Sequence, residues 1–147
     1  MKISTKTRYG LRSIAELARG YPDEPIPLGD ISRRQQVSPK YLEHIFAALK
    51  AAGLVRPVRG VRGGYLLTRS PEKTTLREVF EALEGPLVLA DCQRPSRACP
   101  LQATCPTFDV WTDMTRAITE VLEASTIQDL FERGERMRRE RVPDYVI

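Results

Sequence analysis

The sequence predicts a mainly α fold with one small β-hairpin, ordered as a winged helix-turn-helix followed by a long helix. Three observations carry this prediction. Helical patterns at 5–19, 28–36 and 38–52 follow one another closely. A glycine-rich apolar stretch at 54–68 comes next, where a hairpin belongs. One apolar stripe then runs from 106 to 124 with the period of a helix.

Each element has local signals. In 5–19, Leu11, Ile14, Ala15, Leu17 and Ala18 share one helical face, and Pro22, Pro25 and Pro27 close the segment. Residues 28–36 form a short helix with Leu28 and Ile31 inward. After a turn at Gln36-Val37, Ser38-Pro39 starts the next helix. Serine supplies the cap oxygen, and proline at the first helical position gives up no needed N–H. Tyr41, Leu42, Ile45, Phe46 and Leu49 form its buried side, and Gly53 ends it. In LVRPVRGVRGGYLLT, Val55, Val58, Tyr65, Leu66 and Leu67 suit strands, while Gly60, Gly63 and Gly64 are expected to take positive φ at the tip.

Thr75-Leu-Arg-Glu78 is a capping box that opens a helix to about Leu83, and Gly85-Pro86 breaks it. Residues 86–105 read as a long loop. The helix from Pro106 carries Val110, Trp111, Met114, Ile118, Val121 and Leu122 on its apolar stripe. A last helix is expected at 126–137, followed by a tail that is basic and then apolar. The organisation is therefore a winged helix-turn-helix head at 1–84, a cysteine loop at 85–105, and a long helix with the C-terminal tail at 106–147.

Charge is distributed unevenly along the chain. The net charge is +4, but residues 1–73 hold 14 basic and 6 acidic side chains, whereas 74–147 hold 9 and 13. A basic head on an acidic body suits a polyanion, and the helix order points to double-stranded DNA. The second helix of the pair should enter the major groove by its N-terminal end. Its candidate contacts are Ser38, Pro39, Lys40, Tyr41, Glu43 and His44. Glu43 accepts from cytosine N4, and Lys40 and Ser38 reach guanine or phosphate. Arg56, Arg59 and Arg62 on the glycine-rich wing suit phosphate or the minor groove, and Lys2 and Arg8 beside the first helix suit phosphate.

The three cysteines fall within fourteen residues, as Cys92-x6-Cys99-x5-Cys105. An odd count argues against a disulfide framework. The spacing is wider than the paired cysteines of zinc fingers, and it suits thiolates wrapped around an iron–sulphur cluster, 2Fe–2S or 4Fe–4S. Structural zinc and free redox thiols remain alternatives. Asp91, Asp109 and Asp113 are the nearest carboxylates for a fourth ligand, and Arg94 and Arg97 are placed to offset cluster charge. No apolar run is long enough to cross a membrane, and the basic N-terminus is not a secretory signal, so a cytoplasmic protein is expected. No nucleophile–base pair, phosphate loop or paired carboxylate is present, so no enzyme is expected.

The opening MKISTKTRYGLRSIAELA, the segment VSPKYLEHIFAALKAAGLVRPVRGVRGGYLL and the three-cysteine loop together resemble the IscR/NsrR/CymR family of bacterial winged-helix regulators. The resemblance implies a DNA-binding regulator, read as a repressor, on an imperfect palindromic operator. It implies a homodimer through the 106–124 stripe, and cluster ligation by Cys92, Cys99 and Cys105. Relatives with a histidine ligand carry it three residues after the last cysteine, where this chain has Phe108. The nitric-oxide sensors use an acidic residue in the first helix, where this chain has Arg8. The cysteine-metabolism branch lacks the cluster and answers to a protein partner of the cysteine synthase type. The head and the aromatic-apolar tail resemble that branch too.

Overall fold

The computed structural model describes residues 2–97 and 99–141; the apolar tail at 142–147 lies outside the described residues. Helix α1 (Thr5–Ala15) is followed by α2 (Leu28–Gln35), α3 (Pro39–Ala51), strands β1 (Val55–Val58) and β2 (Gly64–Leu67), α4 (Leu76–Glu84), α5 (Pro106–Ala124) and α6 (Ile127–Glu140). This is the order read from the sequence. The first helix is shorter than the 5–19 pattern, because the chain tightens into a 3-10 helix over Glu16–Gly20.

The caps account for the helix starts. Ser4 accepts from the Thr7 N–H and Ser38 from the Tyr41 N–H. Thr75 with Glu78, and Thr126 with Asp129, close reciprocal capping boxes. These carboxylates are needed in charged form. The Thr126 N–H holds Asp129 below the usual carboxylate range, and hydrogen bonds from Ser4 do the same for Glu84. At Glu78, burial pushes upward but is overcome by Arg69 and Thr75. Depressed folded values mean that this stability is present above the unfolded carboxylate pKa, about 4.3 for Glu. It should disappear as pH falls through the folded values, so thermal unfolding scans should show little change from pH 7 to 5 and a falling midpoint below that.

The core lies where α1, α2, α3 and α4 meet the hairpin. Leu42, Ile45, Phe46 and Leu49 of α3 are fully buried together with Ile14, Leu17, Ile31 and Val79. Each contributes roughly 1.5–3 kcal/mol by leaving water. Ile127 is equally buried, and its N–H donates to the Thr74 carbonyl at 2.9 Å. Helix α6, which the sequence reading placed with the long helix and tail at 106–147, also packs against α1. Its range also reaches Glu140, three residues beyond the sequence reading.

The antiparallel hairpin pairs Val55 with Leu67 and Val58 with Gly64. Its glycines act differently from the expectation. Gly60 alone of the three has positive φ, at 116°. Gly63 and Gly64 instead allow close backbone approach: a Cβ on Gly63 would lie 2.4 Å from the Val58 carbonyl oxygen, and one on Gly64 2.3 Å from that of Ile26. Gly64 sits there because the adjacent Tyr65 exchanges two hydrogen bonds of 3.0 Å with Ile26. Gly64→Ala should therefore lower stability by about 1–3 kcal/mol or more, read from denaturant midpoints, since backbone rather than a side-chain tip must yield.

Candidate nucleic-acid interface and cysteine loop

The turn before α3 is held from several sides. Gln36 takes the left-handed conformation, φ 55°. The Ser32 hydroxyl donates to the Val37 carbonyl at 2.7 Å, and Arg12 donates to the Gln35 carbonyl at 2.8 Å. Buried Val37 anchors the turn from inside. Because the turn is fixed and α3 buries Leu42, Ile45, Phe46 and Leu49, the opposite face is set outward. Ser38, Pro39, Lys40, Glu43 and His44 are all exposed on the first turns of α3.

Tyr41 differs from them. It is half-buried, with its ring edge-on to Tyr9 at 6.1 Å. Arg8 and Arg12 lie over the Tyr9 ring at 6.0 and 5.6 Å. Exposed Arg8 on α1 is thereby brought beside the start of α3. Lys2 is also exposed, but it lines a cavity with Glu84 and Arg94 near the base of the cysteine loop.

The wing is rooted on α3 through the Phe46–Tyr65 ring contact at 4.8 Å. Arg56, Arg59 and Arg62 are exposed, and no ion-pair partner holds any of them among the described residues. Val61 at the tip is wholly exposed, at 107%. The sequence reading did not single it out, because a lone valine between arginines reads as strand rather than as a projecting tip.

The loop after α4 is a string of short 3-10 turns at Asp91–Gln93, Pro95–Arg97 and Gln102–Thr104. Cys92 lies in the first turn, Cys99 between the second and third, and Cys105 caps α5. All three thiols are free and partly exposed. The surroundings of Cys105 favour its thiolate. A hydrogen bond with the Thr107 hydroxyl, at 3.2 Å, and the N–H groups of Thr107 and Phe108 lower its pKa below the usual thiol value.

The donor chemistry fits an iron–sulphur cluster: three soft sulphurs on one loop, one of them at a helix N-terminus. The geometry is open. Among the described residues, no three Cys, His, Asp or Glu side chains converge to metal-holding distance. Arg94 and Arg97 are paired with Asp91 at 3.3 and 3.2 Å, at the exposed surface of the loop. His44 lies exposed on α3, on a different element from the cysteines.

Two contacts tie the loop to its surroundings. The Gln93 amide donates to the Thr115 hydroxyl of α5 at 3.1 Å. Glu84, the last residue of α4, accepts from the Ser4 N–H at 2.8 Å, just before Gly85 turns the chain into the loop with φ 86°. The loop's first hinge is thus bonded to the start of α1.

Helix α5 buries no residue in the single chain. Val110, Met114 and Val121 are 49%, 46% and 66% exposed, with Trp111, Ile118 and Leu122 half-covered beside them. A nineteen-residue helix extends about 28 Å, so this is a long apolar row left open to water. No described helix is long and apolar enough to cross a membrane.

Residues 3–133 match the Rrf2 family, described as an iron-dependent transcriptional regulator. The chain is 37% identical over 134 residues to the HTH-type transcriptional regulator CymR of Bacillus subtilis, covering 88% of this chain and 89% of that protein. The solved structure of CymR, described as the global cysteine regulator of B. subtilis, superposes with a TM-score of 0.73 over 90% of this chain and 98% of that one. The HTH-type transcriptional regulator IscR of Xenorhabdus nematophila is 34% identical over 135 residues, 92% of this chain and 82% of that protein. The structure of T. potens IscR superposes with a TM-score of 0.74 at 33% identity, over 94% and 91% of the two chains.

Proposed function

The chain belongs to the Rrf2 family and is a DNA-binding transcription regulator, and from that premise we propose that it acts as a homodimer whose DNA affinity is set by an iron–sulphur cluster on Cys92, Cys99 and Cys105. The observation that carries the DNA reading is the fixed, outward-facing start of α3 beside an arginine wing. Exposed Glu43 suits a cytosine N4 donor, while Ser38, Lys40 and His44 suit guanine or phosphate. Pro39 fixes the first turn, and the Tyr41 hydroxyl suits a phosphate. Arg56, Arg59, Arg62, Lys2 and Arg8 are assigned to the backbone and minor groove. Glu43→Ala should cost about 1–3 kcal/mol at one base pair and relax specificity there. Arg59→Ala should weaken all sequences alike and reduce the salt slope by about 1. Both follow from fluorescence anisotropy on a selected operator at several salt concentrations.

The open row on α5 supports pairing with a second copy through Val110, Trp111, Met114, Ile118, Val121 and Leu122. Two heads related by a two-fold axis then read an imperfect palindrome. When bound, the cluster supplies redox chemistry and reactivity toward small oxidants. This chain's residues provide the linkage: the loop is bonded to α5 through Gln93 and to α1 through Glu84. A loop drawn in around a cluster is thereby coupled to both the dimer helix and the DNA-facing end of α1. We also propose repression and a cytoplasmic setting, which membership of this family of transcription regulators supports. Anaerobic purification tests the reading: brown protein with bound iron and sulphide supports it, and colourless protein without iron contradicts it.

A second reading has its own support. The likeness to CymR and the unconverged thiols favour a cluster-free regulator answering to a protein partner of the cysteine synthase type. Colourless protein that gains or loses operator affinity only when such an enzyme is added would establish it. Stoichiometric zinc would instead assign the loop a structural metal.

A further inference from the structure

A cavity of about 240 Å³ opens between the C-terminal half of α1, the end of α2 and α6. Its floor is a buried polar network. Glu16 is 2% exposed and accepts from Gln35 Nε2 at 2.5 Å, from Arg34 at 3.3 Å and from Arg138. Gln35 is in turn held by Arg12, whose Nε donates to its side-chain oxygen at 2.9 Å and whose Nη2 donates to its carbonyl. The carboxylate and the amide therefore have their partners. The walls are apolar, from Ala15, Leu130, Phe131 and Met137.

What the cavity still offers is cationic donors. Arg133 lines it and has no hydrogen-bond or ion-pair partner among the described residues; the same holds for Nη1 of Arg12. The lining holds Arg12, Arg133 and Arg138 against one carboxylate, Glu16; Glu135 beside it also pairs with Arg138, so Arg12 and Arg133 supply the surplus positive charge. A metal or organic cation is repelled, and a neutral apolar molecule leaves Nη1 of exposed Arg12 and the exposed Arg133 guanidinium group paired with water alone. A carboxylate answers them, as guanidinium and carboxylate match in a two-bond fork.

Gly134 gives a second, independent indication. It lies in the interior of α6, where glycine is destabilising relative to alanine. No close packing demands it, because a Cβ built there meets nothing within 4 Å, and its φ is not positive. It lines the cavity, and its missing side chain keeps the space open.

We propose that this cavity is a binding site for a small carboxylate with an apolar body of about one ring, set against the turn that precedes α3. The size agrees, since cavities for larger, drug-sized ligands run about 300–1,000 Å³. The site uses none of the cysteines and none of the α3 or wing residues assigned to DNA.

Phenylacetate serves as the probe, titrated into the full chain and followed by the methyl resonance of Met137, assigned with Met137→Leu. A saturable shift in the millimolar range is expected. Neutral 2-phenylethanol should bind at least tenfold more weakly, and Arg133→Gln should weaken phenylacetate about tenfold. Gly134→Leu should abolish the shift while leaving the thermal midpoint unchanged or raised, because it fills the cavity on a helix that tolerates it. The proposal is overturned by absence of a saturable shift, by equal binding of the alcohol, or by unchanged binding in Gly134→Leu. It is likewise overturned if binding appears only after residues 142–147 are removed, since the groove would then be filled by the chain's own end.

Discussion

Replacing Cys92, Cys99 and Cys105 together with alanine is expected to give a colourless, iron-free protein that still folds. None of the three lies in the core, and all are partly exposed on the loop between α4 and α5. Cys105 occupies the cap position of α5 but makes no side-chain cap hydrogen bond, and surface substitutions that break no core or cap contact typically shift stability by no more than about 0.5 kcal/mol. Cys105 deserves a separate variant, because it also sits at the N-terminus of α5 and its thiolate is favoured there by Thr107 and Phe108. Cys105→Ala alone should also lower iron content. Iron and sulphide analysis beside thermal unfolding checks this. Unchanged iron in the triple variant would remove the cysteines from the ligand set.

Met114→Glu with Val121→Glu is expected to turn the protein into a monomer and to lower operator affinity at least a hundredfold. The two side chains stand on the open row of α5, where the single chain leaves Met114 46% and Val121 66% exposed. In an assembly they would be buried against their two-fold copies, and two facing carboxylates without partners would be costly there. Splitting the dimer removes the second head from the same operator, and linked binding commonly exceeds single-head affinity by about 10²–10⁴. Sedimentation velocity gives the mass, and anisotropy gives the affinity. Because the exposed row makes no core contact, the variant's circular dichroism should match the parent. A parent that sediments as a monomer at micromolar concentration would contradict the assignment.

The head was readable because its signals are local. Ser38-Pro39, the Thr75–Glu78 box and Gly60 at the wing tip each specify backbone within four residues, and the structure uses them as read. What was missed depends on contacts distant in sequence. Ile127 looked like one more apolar position on a terminal helix, and only its pairing with Thr74 puts it in the core. Nothing local marks Glu16 for burial. Its burial follows from Gln35, nineteen residues away, and Arg138, over a hundred away. Gly63 and Gly64 were given the right importance for the wrong reason. Glycine in a turn suggests positive φ, whereas here the neighbouring Ile26 segment and the turn's own carbonyls leave no room for a Cβ.

The loop was legible only in its chemistry. Three cysteines in fourteen residues announce soft ligation, but spacing carries no distance, and the sequence reading did not anticipate that Asp91 pairs with both Arg94 and Arg97. The Ser4–Glu84 bond, which joins the loop's hinge to α1, has no sequence signature, since its partners are eighty residues apart.

One comparison tests the central claim most directly: operator binding by the anaerobically purified protein against its Cys92→Ala, Cys99→Ala, Cys105→Ala variant, on sites enriched from random DNA. The enriched sites should be imperfect palindromes bound with a steep salt dependence, and affinity for at least one class of site should differ tenfold or more between the two proteins. Identical binding of every enriched site by both proteins would contradict the account.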